Sequence, residues 1–292
     1  MSEPVTLPGT ETHRLQSPSV PDMLRIQVGL PLGYENSNAA YPAIYLVDGQ
    51  WYFPQVFASA MGMAYAEEIP PVVVVGIGYE PVLTDRAAEL RRVNQLRCRD
   101  LTPTHDPSEW WRVAGAAEPI VNDSDTGHAQ DFMKALEHDI KPLVSSRYRI
   151  SPNEAVLAGF SLGALFALHA LLSRPGESFR GYICGSPSLW WHDGVMFERE
   201  RQYAAGGSDL ATNLFLSVGA LESTGGAQSA RMVENVQAFA HQLATRNYPS
   251  LRCEHKIFED DTHSTAAGPA FAHGLRAMFA SKPPHEDLKC QP

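Results

Sequence analysis

The chain has 292 residues, a formal net charge of −10 and a hydrophobic content of 44%. That length suits one large α/β domain or two small ones, and the apolar content argues against a disordered chain. The acidic balance argues against nucleic acid or an anionic membrane as a partner, because either would require clustered Lys and Arg.

Short apolar runs alternate with helical patterns, which predicts a mostly parallel sheet covered by helices on both faces. The predicted strands, in chain order, are 24–30, 43–47, 72–77, 155–160, 181–184, 214–218 and 252–258. The predicted helices are 53–66, 128–145, 162–173, 227–246 and 266–280. We therefore expect a single α/β domain over residues 1–280.

Three segments depart from this alternation. The insertions 78–127 and 186–213 follow predicted strands. In an open α/β sheet the connections after the carboxyl ends of the strands lie over the ligand crevice, so both insertions are predicted to form pocket walls. The polar, Pro-containing segment 281–292 is predicted to be a disordered tail.

The strongest chemical signal is Gly159-Phe-Ser-Leu-Gly163. It follows a predicted strand and begins an apolar helix, the context in which a Gly-x-Ser-x-Gly turn presents a nucleophilic serine in α/β hydrolases. The two glycines remove side chains that would collide across so sharp a turn. We predict Ser161 as the nucleophile, with a serine that only caps the helix as the alternative.

His263 is the candidate general base for this serine. In α/β hydrolases the acid and then the histidine follow the serine along the chain. His263 lies in a polar stretch between the last predicted strand and the last predicted helix, whereas His255, His273 and His285 fall in a strand, a helix and the tail. A solvated loop histidine is the alternative.

Glu222 is the predicted third member, which would orient the imidazole and stabilise its charged form. It ends a short loop that follows the predicted strand 214–218. Asp260 and Asp261 are alternatives, although their closeness to His263 in sequence would require a tight local turn. A Ser–His dyad without a strong acid also remains open.

Ester hydrolysis would also require two backbone N–H groups directed at the oxyanion. We predict that they belong to Leu162, directly after the nucleophile, and to Gln50, in the turn after an early strand. The sequence has no phosphate loop, dinucleotide-binding or His-Glu-x-x-His motif, so no metal or organic cofactor is expected.

These motifs are similar to those of the Putative esterase (esterase D-like) family of α/β hydrolases. The matching stretches are 41–49, 74–79, Arg-Asp-Leu-Thr-Pro at 99–103, 159–166, Gly-Ser-Pro-Ser-Leu-Trp-Trp at 185–191, and the loop around His263. The resemblance implies a Ser161 nucleophile, a His263 base, Gln50 and Leu162 as oxyanion donors, and a pocket lined by 186–191. Within the family the chain most resembles esterases of catecholate siderophores. Ala164 departs from it, because such esterases often have a further glycine there.

The insertion 78–127 contains five arginines between positions 86 and 99, which favours an anionic substrate. We predict Arg97 and Arg99 as ligands for anionic oxygens, and Trp190 and Trp191 as surfaces on which aromatic rings stack. The alternative is a solvated helix whose arginines pair with neighbouring carboxylates, namely Asp85, Glu89 and Asp100.

Three functions therefore compete: a siderophore trilactone esterase, a general carboxyl-, feruloyl- or acetyl-esterase, and a non-catalytic binding protein with a hydrolase fold. The predicted partner is a small ester. No secretory signal, membrane-length apolar run or Cys-x-x-Cys pair is visible, which predicts a reduced, cytoplasmic protein. The oligomeric state is not predicted.

Overall fold

The computed structural model describes residues 5–106, 126–173, 178–207, 209–223 and 230–280. Much of the second half of the insertion 78–127 and the predicted tail 281–292 lie outside these residues. Among the helices that the structure describes, none combines the length and the apolar character needed to span a bilayer.

Eight strands form one sheet in the order β1-β2-β4-β3-β5-β6-β7-β8. The strands are β1 (Thr10–Leu15), β2 (Leu24–Gly29), β3 (Tyr41–Val47), β4 (Val73–Tyr79), β5 (Ile150–Phe160), β6 (Gly181–Gly185), β7 (Thr212–Gly219) and β8 (Leu251–Phe258). Strand β2 pairs antiparallel with both β1 and β4. All other neighbouring strands, in the order β4-β3-β5-β6-β7-β8, pair in parallel. The predicted mostly parallel α/β architecture is confirmed.

The sheet holds one strand that the sequence did not indicate. Strand β1 lies at the edge of the sheet, and most of its side chains are exposed or only partly buried. A strand with so little apolar surface lacks the alternation by which strands are recognised.

The described helices are α1 (Gly49–Tyr65), α2 (Arg86–Asp100), α3 (Ala129–Ala135), α4 (Lys141–Arg147), α5 (Leu162–Ser173), α6 (Trp191–Ala205), α7 (Met232–Arg246) and α8 (Ala267–Phe279). The prediction of one helix over 128–145 was wrong in detail, because a π-helical turn, Leu136–Ile140, separates α3 from α4. Pro142, the second residue of α4, has no N–H to continue regular hydrogen bonding.

Helices α2 and α6 lie within the two insertions, for which the sequence predicts pocket walls, with a solvated helix around the arginines of the first as the alternative. Asp85 caps α2, because its carboxylate accepts hydrogen bonds from the N–H groups of Ala87 and Ala88 at 2.8 and 3.2 Å. Helix α6 begins with an interruption, since His192, Asp193 and Gly194 all have a positive φ. The insertions are therefore largely helical where the structure describes them.

Apolar side chains cover both faces of the sheet. Helices α1 and α8 supply one layer, which includes Phe57 and Phe271, and the remaining helices pack on the other face, with Phe166 of α5 at its centre. Every residue of β4 and the last six residues of β5 are buried. Strands covered on both faces expose only their ends, so the carboxyl ends of β3 to β8 are where polar chemistry can be placed.

His169 is a buried titratable group in this packing. It lies in α5, is 3% exposed, and its Nδ1 contacts an Nη of Arg199 from α6 and the hydroxyl of Ser173 at 3.3 Å. Burial, and then the charge of Arg199, lower the pKa of His169 from 6.5 to about 3. The folded protein therefore holds this imidazole neutral.

We expect this burial to make folding stability depend on pH. The unfolded chain gains a proton at His169 below pH 6.5, whereas the folded chain does so only near pH 3. The contribution of this site is therefore fully present above pH 6.5, and it is lost as the pH falls, by up to about 1.4 kcal/mol per pH unit.

Denaturant unfolding at pH 7 and pH 5 measures the effect in the wild type and in His169→Asn, whose amide oxygen offers Arg199 an acceptor near the position of Nδ1. The variant should lose less stability than the wild type between the two pH values. Equal losses in the two proteins would contradict the assignment.

Candidate active site

Ser161 lies in the turn between β5 and α5 and has a φ of 59°. Its N–H donates to the carbonyl of Gly185 in β6 at 2.9 Å, and its own carbonyl accepts from Ala164 and Leu165 of α5. A Cβ on Gly159 would lie 2.2 Å from the backbone of Gly163, so strand and helix approach too closely for any side chain there. Non-glycine residues with this backbone carry roughly 1–3 kcal/mol of strain, which persists where surrounding contacts hold it.

Glu222 and His263 meet at the ends of β7 and β8. Glu222 belongs to a 3₁₀ turn directly after β7 and is 2% exposed. Its Oε2 lies 2.6 Å from Nδ1 of His263. Its Oε1 accepts hydrogen bonds from the hydroxyl of Ser186 at 2.6 Å and from the N–H of Gly219 at 2.9 Å. Nδ1 of His263 thus lies against an oxygen of Glu222, whereas Asp260, one of the alternatives, is exposed to solvent.

The environment of Glu222 keeps its carboxyl group ionised. Burial raises the pKa of Glu222, but the hydrogen bond and charge of His263, with the hydrogen bonds from Ser186 and Gly219, together lower it below its ordinary value. A carboxylate held ionised at Nδ1 favours the tautomer with the proton on Nδ1. Nε2 of His263 is then the nitrogen that can accept a proton.

The ring of His263 packs on the residue that precedes the nucleophile. The ring centroids of His263 and Phe160 are 5.0 Å apart. The loop that carries His263 is tied to the turn after β7, because Leu221 donates to the carbonyl of Asp261 at 3.1 Å. The His263 side chain remains 45% exposed. It therefore sits beside the Ser161 turn with one face open to a ligand.

The segment after β6 connects the serine to the acid. The hydroxyls of Ser161 and Ser188 are 3.4 Å apart, and the N–H of Ser188 faces the carbonyl of Ser161 at 3.3 Å. Ser186, two residues earlier, has a φ of 41° and reaches Glu222. The sequence predicts only a pocket wall for this segment. In the sequence the available signal was its place directly after the next predicted strand, which the structure pairs with β5, with Gly185 opposite Phe160.

Gln50 and Leu162 lie at the starts of two neighbouring helices. Gln50 is the second residue of α1 and Leu162 the first of α5, so their N–H groups have no acceptor within their helices. The strands that lead into these helices, β3 and β5, are parallel neighbours, which brings both helix starts to one edge. A Cβ on Gly49 would lie 2.6 Å from the backbone of Gly76, so the first turn is held against β4.

The two arginines predicted as substrate ligands are both bound to carboxylates. Arg97 is 8% exposed and donates two hydrogen bonds to Asp48, at 2.6 and 2.9 Å. Arg99 donates to Asp100 at 2.7 and 2.9 Å and to Asp22 at 2.7 Å. This arrangement favours the alternative of paired arginines, although Asp48 and Asp22 were not among the expected partners. It gives no support to the predicted substrate contacts.

The two tryptophans differ in their surroundings. Trp191 is fully buried, and its indole N–H donates to the carbonyl of Thr104 at 3.2 Å, so it is a core residue rather than a stacking surface. Trp190 is only partly buried and its ring lies 5.8 Å from that of Trp191. It follows Ser188 by two positions, so of the two rings it is the one placed to contact a ligand near Ser161.

Residues 17–97 and 99–280 match the Putative esterase family. The chain belongs to this family. The turn that carries Ser161 between β5 and α5, together with membership of this esterase family, makes the chain a serine hydrolase of the α/β-hydrolase fold.

Two curated proteins and one solved structure illustrate the relationship. The chain is 26% identical to the ferri-bacillibactin esterase BesA of Bacillus subtilis, over 97% of this chain and 94% of that protein. It is 28% identical to the siderophore triacetylfusarinine C esterase of Aspergillus fumigatus, over 97% of each. The crystal structure of an IroE-like serine hydrolase from Shewanella oneidensis superposes with a TM-score of 0.77 and 26% identity, covering 92% of this chain and 80% of that one.

The contacts of Glu222 predict a graded series of variants. Glu222→Gln should lower kcat for p-nitrophenyl acetate by about 10²–10⁴-fold, because an amide neither fixes the tautomer nor stabilises an imidazolium. Ser186→Ala should lower kcat by only about tenfold, since Oε1 keeps its bond from Gly219 and one hydrogen bond is worth roughly 1 kcal/mol.

Ser223→Ala is the matched control, because that hydroxyl donates to the carbonyl of Ala220 on the same turn. Its kcat should equal that of the wild type when rates are divided by the concentration of folded enzyme. Full activity in Glu222→Gln, or equal losses in Ser186→Ala and Ser223→Ala, would refute this role for the carboxylate.

Proposed function

We propose that this chain hydrolyses the ester bonds of a siderophore trilactone of the catecholate class, with Ser161 as nucleophile, His263 as base and Glu222 as the acid. The observation that carries the proposal is the 2.6 Å contact between Glu222 and Nδ1 of His263, beside an elbow that holds Ser161 with a left-handed backbone. Family membership and the siderophore substrates named for its relatives support the substrate class.

In the first half of the reaction, Nε2 of His263 takes the proton of the Ser161 hydroxyl as its oxygen attacks the ester carbonyl. The negative charge that forms on the carbonyl oxygen is stabilised by the N–H groups of Gln50 and Leu162. The imidazolium is stabilised by the ionised Glu222. When the intermediate collapses, His263 returns its proton to the departing alcohol, which leaves an acyl group on Ser161.

In the second half, His263 takes a proton from water, and the hydroxide attacks the acyl-enzyme carbonyl. The same two N–H groups stabilise the second oxyanion. Collapse releases the carboxylic acid, and His263 returns the proton to the oxygen of Ser161. Each cycle thus consumes one water and opens one ester bond.

Substrate contacts would fall to the segment 186–191 and to Trp190 in particular. Trp190 is the partly exposed aromatic ring nearest in sequence to Ser188, and an aromatic ring offers a catechol a stacking surface. Arg97 and Arg99 are engaged by carboxylates, so we assign recognition to aromatic packing rather than to arginine forks.

We also propose that residues 1–280 act as one domain in a reducing, cytoplasmic setting. The single sheet, which extends from β1 to β8, supports the one-domain assignment. The three described cysteines, Cys98, Cys184 and Cys253, are free thiols, which suits a reducing compartment.

The nucleophile is tested with Ser161→Ala. This variant should lose about 10³-fold or more in kcat, because removal of a triad member leaves only the background from oxyanion stabilisation and binding. A fluorophosphonate probe should label the wild type and not the variant. If the wild type resists labelling and turns over no ester, the chain is a binding protein and the catalytic proposal fails.

A substrate panel tests the siderophore assignment. We expect kcat/KM for a catecholate trilactone to exceed that for p-nitrophenyl acetate and methyl ferulate. Trp190→Ala should lower kcat/KM for the catecholate trilactone without lowering it for p-nitrophenyl acetate. A preference for methyl ferulate or simple acetates would indicate a general esterase. A preference for triacetylfusarinine C would keep a siderophore substrate but exclude the catecholate class.

A further inference from the structure

The turn that carries Gln50 contains a buried carboxylate for which hydrolysis has no direct use. Asp48 lies between β3 and α1, its side chain is 1% exposed, and its φ is 58°. A Cβ on Gly163 would lie 3.0 Å from Oδ2 of Asp48, so the carboxylate also touches the first turn of α5. Asp48 therefore lies between the starts of the two helices that supply the oxyanion donors.

A negative charge in this position would oppose the reaction. The transition state places charge on the carbonyl oxygen near the N–H groups of Gln50 and Leu162, and like charges repel strongly where water is excluded. Asp48 is moreover the residue before α1, where an aspartate usually accepts hydrogen bonds from the first-turn N–H groups. An Asp48 carboxylate that capped α1 would compete for the N–H of Gln50.

Arg97 binds this carboxylate, whose Oδ1 also accepts a hydrogen bond from the side-chain amide of Gln50 at 3.3 Å. The guanidinium binds both oxygens of Asp48 in a fork, and within the described residues no first-turn N–H of α1 is capped by the Asp48 side chain. The guanidinium also stacks over the ring of Trp51 in α1, 4.5 Å from its centroid. Arg97 comes from α2, so the insertion 78–127 reaches into the catalytic turn.

We propose that Arg97 is a positioning residue for the oxyanion site: it neutralises Asp48 and holds its carboxylate away from the Gln50 N–H. This inference rests on the proposed ester hydrolysis and adds to it a catalytic reason for α2. It predicts that the two members of the ion pair have unequal effects on catalysis. Arg97 protects the site, whereas Asp48 is harmful to it whenever Arg97 is missing.

The test is a double-mutant cycle on p-nitrophenyl acetate. Arg97→Met should lower kcat by about 10²-fold or more, the size of a lost oxyanion donor, with KM changed little. Asp48→Asn should lose less than about tenfold, because the remaining positive charge favours the oxyanion. The kcat of the double variant Asp48→Asn, Arg97→Met should be at least about tenfold higher than that of Arg97→Met, since no carboxylate is left to interfere.

Three further measurements separate this role from a merely structural one. Arg97→Lys, which keeps the charge, should restore most of the kcat lost in Arg97→Met. In Arg97→Met, the affinity for a boronic acid that forms a tetrahedral adduct with the serine should fall in parallel with kcat, whereas KM should stay nearly unchanged. Arg92→Met is the matched control on α2, because Arg92 pairs with Glu89 and Asp22 instead, and it should keep wild-type kcat.

The inference is overturned if both single variants lose kcat equally and the double variant has no higher kcat than either. A purely structural ion pair would behave in that way. If Arg97→Met does not fold, the double variant, which buries no charge, decides: kcat within about tenfold of wild type supports the inference and a loss of about 10²-fold contradicts it. Lack of wild-type turnover would overturn the proposed function, and this inference with it.

Discussion

The left-handed backbone at Ser161 is the constraint on which the rest of the site depends. It can be maintained because β5 and α5 meet at glycine contacts too close for any side chain and because the Ser161 N–H is bonded to β6. This turn fixes the position of the serine hydroxyl before any ligand arrives. Every other polar group must then be placed relative to it, which explains why so many tight connections converge on one edge of the sheet.

Each of these groups lies directly after the end of a different strand of the sheet. Gln50 follows β3, Ser161 follows β5, Ser186 follows β6, Glu222 follows β7 and His263 follows β8. Parallel neighbours bring their carboxyl ends to the same edge, so short loops suffice. The hydrogen bonds of Glu222 then join β6, β7 and the loop after β8 into one rigid unit, with the carboxylate buried and the imidazole half open.

Sequence reasoning reached the parts of this arrangement that depend on local pattern. Short runs of apolar and strand-forming residues predicted β2 to β8, and glycine spacing and chain order pointed to Ser161, His263 and Glu222. It missed β1, which is polar, and helix α6, and it gave a helix around the arginines of α2 only as an alternative, because both insertions have little apolar periodicity. The pair between Asp48 and Arg97 joins residues 49 positions apart. No local pattern indicates such a contact, which is why the sequence alone favoured the substrate as the partner of Arg97.

The strain at Ser161 also has an evolutionary consequence. A glycine would adopt the same backbone without a Cβ penalty, so the reactive residue is one that the fold would be more stable without. Populations selected for heat resistance alone would drift toward loss of the nucleophile. Continued demand for turnover is what retains a serine there.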